Sequence, residues 1–353
     1  MTLTILADDL TGACDTGALF AARAPTPVTV FPQPRASGQL AVIDAESRAL
    51  SGAEARDRIR TLVQESPRPE LWFKKVDSTL RGPVVDEIDA LLEATGAPGA
   101  VLCPAFPAQG RTLVGRILRV HGRPIRDSAL AHDPDFWLPS SDVVAALGAR
   151  TSRPIEWCSL EELRHGRARV GAGAITVCDA ESDADLAALV PTATALSARP
   201  ILVGSAGLAG AFARHLGLLG EAPRVPEGAR WLVVAGSRHP ATAAQIQGLA
   251  FHGARVLLPP RELEHDRITV AADLARQARK VLESEPIDLV AVTGGDTAVA
   301  LYRELDADRI ELLGAPLPGL ALGRIRWGND RELTLLTKAG GFGAPDLLER
   351  LLS

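Results

Sequence analysis

Cysteine motifs and long apolar runs are both missing from this chain. Its 353 residues include only four cysteines, which form no CxxC pair and lie near no histidine at zinc-ligand spacing. The common zinc and dithiol motifs are therefore excluded, and we expect free thiols in a reducing cytoplasm. No apolar run approaches the roughly 18 residues of a transmembrane helix, and the first residues lack the basic and apolar regions of a secretory signal. The sequence predicts a cytoplasmic protein without a membrane partner.

Positive charge is not in excess either. The chain carries 38 Lys and Arg against 43 Asp and Glu, a net charge of −5. Because nucleic-acid binding needs a basic face, we expect no nucleic-acid partner. An anionic small molecule is not excluded as a substrate, since a few well-placed Arg or Lys are enough to bind it.

Short apolar runs alternate with amphipathic, Ala-rich stretches along the chain. The predicted strands are 3–6, 40–45, 71–77, 99–105, 174–180, 200–207, 230–237, 254–260, 288–298 and 333–343, and the predicted helices between them include 53–65, 84–95 and 183–195. This alternation predicts an α/β protein with mostly parallel sheets. A polar, Pro- and Gly-rich stretch at 219–231 interrupts the series. It predicts two domains, 1–222 and 223–353.

Charged and hydroxyl side chains follow several strands of the first half. "ADDL" ends the first strand, and "KKVDSTLRG" ends the third ahead of an acidic helix. Ligands of parallel sheets bind outside the carboxyl ends of the strands, and cations near a helix N-terminus suit a carboxylate or phosphate. The candidate residues are Asp8, Asp9, Arg48, Lys75, Asp77, Ser78, Thr79 and Arg81. The alternative for the third strand is a helix cap by Asp77 or Ser78, with the cations solvated.

Three glycine-containing turns follow strands of the second half. They read "AGSRHP", "TGGDTA" and "KAGGFG", and their candidate residues are Ser237, Gly294, Gly295, Asp296, Thr297, Gly340 and Gly341. Glycine lets the backbone approach a phosphate closely, so three such turns favour a nucleotide site, with Asp296 as a Mg²⁺ ligand. The alternative for "TGGDTA" is a tight turn capped by Asp and Thr. Neither a GxxxxGK[ST] P-loop nor a GxGxxG fingerprint is found.

Six segments together resemble one family. "ILADDLTGACDTGA", "KKVDSTLRG", "PAFPAQGRTLVGR", "VVAGSRHPAT", "VTGGDTA" and "LLTKAGGFG" occur in the same order as in the four-carbon acid sugar kinases, and the resemblance runs from residue 3 to about 348. It implies an N-terminal sugar-acid-binding domain and a C-terminal nucleotide-binding domain, both α/β. It also implies ATP-dependent formation of the 4-phosphate of an acid such as threonate, erythronate or 3-oxo-tetronate.

The resemblance extends to individual positions. It implies that Asp9, Arg48 and the segment 75–81 hold the sugar acid, while Ser237, residues 294–297 and the Gly340–Gly341 turn hold ATP with Mg²⁺. We favour Asp9 as the group that accepts the hydroxyl proton, with Asp77 and Asp296 as rivals. We expect the active site in the cleft between the domains, because closure would keep water from the phosphate. A homodimer would be unsurprising.

Two other functions remain open at this point. A nicotinamide-dependent sugar-acid oxidoreductase is disfavoured by the missing dinucleotide fingerprint. A non-catalytic sugar-acid sensor would bind its ligand without transferring phosphate. The chain also departs from the family pattern at "STLRGP", where Pro83 replaces a common amide side chain. This departure concerns the choice of substrate.

Overall fold

Strands and helices alternate through most of the chain. The structure is a computed structural model that describes residues 1–21, 23–33, 38–133, 135–169, 171–195, 199–237, 239–247, 249, 253–260, 266–328 and 331–352. The helices are α1 (Leu10–Ala18), α2 (Gly52–Glu65), α3 (Val84–Thr95), α4 (Val143–Gly148), α5 (Leu160–Arg164), α6 (Asp183–Thr194), α7 (Ala206–His215), α8 (Pro240–Gln247), α9 (Arg267–Ser284), α10 (Gly295–Glu304) and α11 (Glu349–Leu352). The strands are β1 (Leu3–Ala7), β2 (Thr26–Val30), β3 (Leu40–Asp44), β4 (Leu71–Lys75), β5 (Ala100–Cys103), β6 (Arg111–Val114), β7 (Ile117–Val120), β8 (Arg123–Pro124), β9 (Ile155–Cys158), β10 (Ile175–Cys178), β11 (Ile201–Gly204), β12 (Trp231–Ala235), β13 (Arg255–Leu257), β14 (Leu289–Thr293), β15 (Ile310–Gly314), β16 (Leu320–Trp327) and β17 (Arg331–Lys338).

The chain divides into two compact units. The first unit is Met1–Asp9 with Ser37–Leu219, and the second is Leu10–Ala36 with Gly220–Ser353. The units therefore differ from the predicted domains 1–222 and 223–353 in one early segment. That segment carries α1 and β2, and β2 pairs antiparallel with β15 of the second unit. A prediction that cuts the chain at one point cannot assign an early segment to the later domain.

The main sheet of the first unit is entirely parallel. Its strand order is β3-β1-β4-β11-β5-β10-β9, and every pairing is parallel. Strands such as β1 and β5 are buried along their whole length, as expected where both faces of a sheet are covered. The predicted α/β class is confirmed. Ala7 lies opposite Asp44, and Leu6 lies opposite Lys74, so the carboxyl ends of these strands share one edge.

The sheet of the second unit is mixed. Strands β13, β12, β14 and β17 pair in parallel, whereas β17, β16, β15 and β2 pair antiparallel. The antiparallel strands β2, β15 and β16 are absent from the sequence prediction. In β16 the exposed Arg324 and Arg326 alternate with buried residues, a pattern typical of an antiparallel strand with one exposed face that the sequence prediction omits. Ala235, Thr293 and Lys338 lie side by side at the carboxyl ends of three parallel strands.

Helix ends show how the loops near the first sheet are fixed. Helix α2 begins with a capping box in which Ser51 and Glu54 satisfy each other's backbone amides. Helix α3 begins after Pro83, which makes no side-chain cap, so the alternative prediction of a cap by Asp77 or Ser78 is wrong. Proline at this position fits a helix start, where its missing amide hydrogen is not needed.

None of the described helices is long and apolar enough to cross a bilayer.

A buried ion pair joins α3 to β4. The Lys74 ammonium lies 3.2 Å from Glu87 Oε2, and neither side chain is exposed. Lys74 also donates to the carbonyl of Lys75 at 3.0 Å, and the Ser47 hydroxyl donates to the other Glu87 oxygen. Glu87 therefore supports both Lys74 and the loop that carries Arg48.

Removing Glu87 would leave the buried Lys74 ammonium without its ion-pair partner. We expect Glu87→Ala to lower the free energy of unfolding by about 3–5 kcal/mol, measured by urea denaturation. Glu93→Ala on the same helix is the matched control. Glu93 is 40% exposed beside Arg56 and Arg60, so its loss should cost less than about 1 kcal/mol. Equal losses for the two variants would contradict this role of the buried pair.

Candidate active site

Arg48 binds both of the acids that follow β1. Its Nε and Nη2 donate to Asp8 at 2.9 and 3.0 Å, and its Nη1 and Nη2 donate to Asp9 at 2.8 and 2.7 Å. These bonds use all but one of the guanidinium hydrogens. One hydrogen therefore remains for an outside ligand. The guanidinium also relieves the repulsion between two adjacent carboxylates.

The backbone of the loop after β3 places Arg48 against these acids. The amides of Ser47 and Arg48 both donate to the carbonyl of Asp8, at 3.1 and 3.2 Å. Glu46 adopts a left-handed conformation with φ of 48°, which turns the chain sharply after the strand. Gly82 packs against the Arg48 backbone, because a Cβ added to Gly82 would lie only 2.9 Å from the Arg48 carbonyl oxygen. The Arg48 loop is thus held from two sides.

Cations set the charge of the first acid. Burial alone would raise the pKa of Asp8, but Arg48, Lys75 and Lys74 outweigh it and lower that pKa below its usual value. Asp8 is therefore a permanent anion at neutral pH. Lys75 ends β4 and is only 6% exposed. Within the described ranges its ammonium forms no hydrogen bond, so its hydrogens are free to bind an acid.

Asp77 and Arg81 form a second ion pair in the loop after β4. Arg81 donates to both Asp77 oxygens at 2.9 and 3.0 Å, and its Nη1 donates to Asp133 at 3.0 Å. Both the amide and the hydroxyl of Thr79 donate to Asp77. Ser78, in the same loop, is half-buried. Asp133 is a member of this group that the sequence did not suggest, because it follows no predicted strand.

The two ion pairs lie close enough to affect each other. Burial alone would raise the pKa of Asp77, but Arg81 and Arg48 reverse this and hold that pKa well below its usual range. The structure therefore brings together all the predicted side chains of the first unit except Ser78, which lies in the same loop without a side-chain bond to them. The cluster combines fixed anions with cations and suits a small polar acid.

The three glycine-containing turns of the second unit meet at Ser237. An added Cβ on Gly340 would overlap the Ser237 hydroxyl, and one on Gly294 would lie 3.3 Å from the Ser237 amide. An added Cβ on Gly236 would overlap Thr297. Gly294 also has φ of 98°, which favours glycine. The close contacts explain why these positions are glycines.

Residues Gly295 and Asp296 open helix α10. Gly294 is its N-cap and no side chain caps it, so the alternative prediction of an Asp-Thr cap is wrong. Asp296 is 51% exposed and lies 3.5 Å from Arg267. Across the part of the chain that the structure describes, no group of three or more acidic, His or Cys side chains could hold a metal. A single carboxylate still fits Mg²⁺, which usually binds one or two carboxylates together with substrate phosphates.

Lys338 is a residue of this region that the sequence did not suggest. It ends β17, is 1% exposed, and donates to three carbonyls of the "KAGGFG" turn. Its signal in the sequence is a lysine directly after the apolar run "LTLLT". An apolar run of this kind predicts a buried strand end, and a lysine there needs buried acceptors.

Comparison with known families matches the two parts of the chain to different domains. Residues 3–212 match the family described as the sugar-binding N-terminal domain, and residues 260–348 match the nucleotide-binding C-terminal domain. A D-threonate kinase from Bordetella bronchiseptica is 32% identical, over 98% of this chain and 95% of its own. The chain belongs to the four-carbon acid sugar kinase family, a class of phosphotransferases.

Other relatives differ in the acid that they are named for. A D-erythronate kinase from Heliobacterium modesticaldum is 27% identical over 98% of this chain and 94% of its own. A 3-oxo-tetronate kinase from Pseudomonas fluorescens is 26% identical over 99% and 96%. A solved protein from Bordetella bronchiseptica with bound citrate, a domain-swapped dimer, has 29% identity and a TM-score of 0.53 over 99% of this chain and 97% of its own.

Two neighbouring glycines offer a matched test of the second-unit site. Gly340→Ala should weaken binding of Mg-ADP at least about 10-fold, because the new methyl group overlaps Ser237 and forces the turns apart. In Gly341→Ala the methyl group would lie 3.3 Å from His239, which a small side-chain shift relieves, so binding should change less than about 3-fold. Isothermal titration calorimetry measures both. Similar affinities for the two variants would contradict a site built around Ser237.

Proposed function

We propose that this protein is an ATP-dependent kinase that phosphorylates the 4-hydroxyl of a four-carbon sugar acid such as threonate, erythronate or 3-oxo-tetronate. The observation that carries the proposal is the Arg48-bound pair Asp8 and Asp9, which lies in the part of the chain that matches a sugar-binding domain. Carboxylates at a strand end suit the hydroxyl groups of a sugar acid. The neighbouring cations suit its carboxylate.

Lys75 and Arg81 are the proposed ligands of the substrate carboxylate. The Lys75 ammonium makes no hydrogen bond to the described residues and can donate three. Arg81 is 26% exposed, so it is accessible as well as oriented by Asp77. Arg48 has one hydrogen left after binding Asp8 and Asp9, so we propose that it chiefly orients Asp9. Ser78 and Thr79 complete the loop that surrounds the acid.

Asp9 is the proposed general base. Its 16% exposed carboxylate lies at the end of β1, where a substrate hydroxyl can reach it. Asp77 is less suited, because four donors bind its carboxylate and its pKa lies well below the usual range. A base of such low pKa accepts a proton poorly.

In the proposed reaction the 4-hydroxyl oxygen forms a bond to the γ-phosphorus of ATP. The bond from that phosphorus to the bridging oxygen breaks, its electron pair stays on ADP, and the hydroxyl proton passes to Asp9. Ser237, the turn at 294–297 and the Gly340–Gly341 turn would bind the phosphates through backbone amides. Asp296 would hold Mg²⁺, which supplies charge neutralisation at the phosphates.

The remaining properties follow from the chemistry of the proposal. The partners are a sugar acid and ATP, and we propose a cytoplasmic metabolic role, consistent with four buried free cysteines. The domain-swapped dimer of the Bordetella bronchiseptica protein makes a homodimer worth testing. The location of the active site in a cleft between the domains stays a prediction.

The kinase proposal is tested by ADP release from Mg-ATP in the presence of threonate, erythronate and 3-oxo-tetronate of both stereochemistries. We expect turnover with one of these acids. Asp9→Asn should lower kcat at least about 100-fold, as expected for loss of a general base. Arg81→Ala should raise KM for the acid by more than about 10-fold, as expected for loss of a charged hydrogen bond.

Asp57→Asn is the matched control for Asp9→Asn. Asp57 is 80% exposed on α2, so this variant should turn over like the wild type. Acid binding without ADP release from any substrate would contradict the kinase and favour the sensor. Reduction of a nicotinamide cofactor would favour the oxidoreductase. Normal turnover by Asp9→Asn would refute the assignment of the base.

A further inference from the structure

The turn formed by Ala339–Gly343 wraps around one ammonium group. Lys338 Nζ donates to the carbonyls of Ala339, Gly340 and Phe342 at 2.8, 3.1 and 3.0 Å. Three acceptors match the three hydrogens of an ammonium, whereas a neutral amine has only two. Burial lowers the pKa of Lys338 to about 8, so the group is still mainly protonated at pH 7.

The bound carbonyls determine where the amides of the same turn point. In a planar trans peptide the N–H lies opposite the C=O. Because the carbonyls of Ala339, Gly340 and Phe342 face the ammonium, the amides of Gly340, Gly341 and Gly343 face away from it. None of these three amides donates to a backbone carbonyl in the described part of the chain. They are available to an anion on the face opposite Lys338.

Helix α8 holds the same carbonyls from a second direction. The Thr242 hydroxyl donates to the carbonyl of Gly340 at 2.8 Å. Gln245 Nε2 donates to the carbonyls of Phe342 and Ala344 at 3.0 and 2.9 Å. Both side chains are buried. The carbonyls of Ala339, Gly340 and Phe342 therefore all accept hydrogen bonds, whereas the amides of Gly340, Gly341 and Gly343 donate to no backbone carbonyl in the described residues.

We propose that Lys338 is a positioning residue for the nucleotide: its ammonium gathers the carbonyls of the Ala339–Gly343 turn and thereby aims the amides of Gly340 and Gly341 at phosphate oxygens. This inference rests on the proposed nucleotide site. Lys338 does not itself touch the phosphate. It acts through the backbone: its positive charge lies on the carbonyl side of the turn, and the amides on the opposite side are left to bind an anion.

Binding of Mg-ADP to the full chain tests the role of Lys338 independently of catalysis. Lys338→Met removes the ammonium and keeps the length of the side chain, and it should weaken Mg-ADP at least about 10-fold. Lys338→Arg should recover most of the affinity, because a guanidinium also donates to several carbonyls. Lys280→Met, at an exposed position of α9, is the control and should bind normally.

Steady-state kinetics separate positioning from general loss of structure. In Lys338→Met the KM for ATP should rise about 10-fold, while the KM for the sugar acid stays within about 2-fold. Should Lys338→Met not fold, Thr242→Val carries the test, and it should raise the Mg-ADP dissociation constant about 3-fold or more. If Lys338→Met folds and binds Mg-ADP with wild-type affinity, the proposal is overturned. If only Thr242→Val folds, wild-type Mg-ADP affinity in that variant overturns it.

The failure of the kinase assignment is distinguishable from the failure of this inference. If the wild type binds Mg-ADP but phosphorylates no acid, the proposed reaction fails, and the binding comparison of Lys338→Met with Lys338→Arg still decides the role of the ammonium. If the wild type does not bind Mg-ADP, both the nucleotide site and the role of Lys338 are overturned.

Discussion

The contact between the Arg48 guanidinium and the paired carboxylates of Asp8 and Asp9 is the interaction on which the charged cluster of the first unit depends. Two adjacent carboxylates at one strand end repel each other unless a counter-charge lies beside them. Arg48 prevents this with two hydrogen bonds to each acid. The parallel pairing of β1 with β3 makes the contact possible, because both strands end at the same edge.

Each of the two units supports its candidate site with a lysine buried near the end of a strand. In the first unit Lys74 pairs with Glu87 and binds the carbonyl of Lys75, and Glu87 in turn holds Ser47 beside Arg48. In the second unit Lys338 binds three carbonyls of the turn that follows it. Burying a charge is unfavourable unless it is paired and hydrogen-bonded. Lys74 is both paired and hydrogen-bonded, whereas Lys338 is held by hydrogen bonds to carbonyls, and burial lowers its pKa to about 8.

Much of the fold was predictable from the sequence because it depends on local patterns. All ten predicted strands and all three predicted helices are present, and 84–95 matches α3 at both ends. The antiparallel strands β2, β15 and β16 are absent from the sequence prediction. The alternation of buried and exposed residues in β16 is a strand signal that the prediction omits, whereas β2 pairs with a remote strand. The grouping of residues 10–36 with the second unit was missed for the same reason. It depends on pairing between β2 and β15, which are almost 300 residues apart.

The candidate site was predictable as a set of residues, and its geometry was not. The motifs identified Asp9, Arg48 and the glycine turns, whereas the use of nearly all Arg48 hydrogens by two acids appears only in three dimensions. The decisive measurement is the steady-state kinetics of Arg48→Lys with the best sugar acid. A lysine cannot bind two carboxylates in this way, so kcat should fall about 100-fold while KM for the acid changes less than about 3-fold. A large rise in KM with unchanged kcat would mean that Arg48 binds the substrate, which would contradict the account.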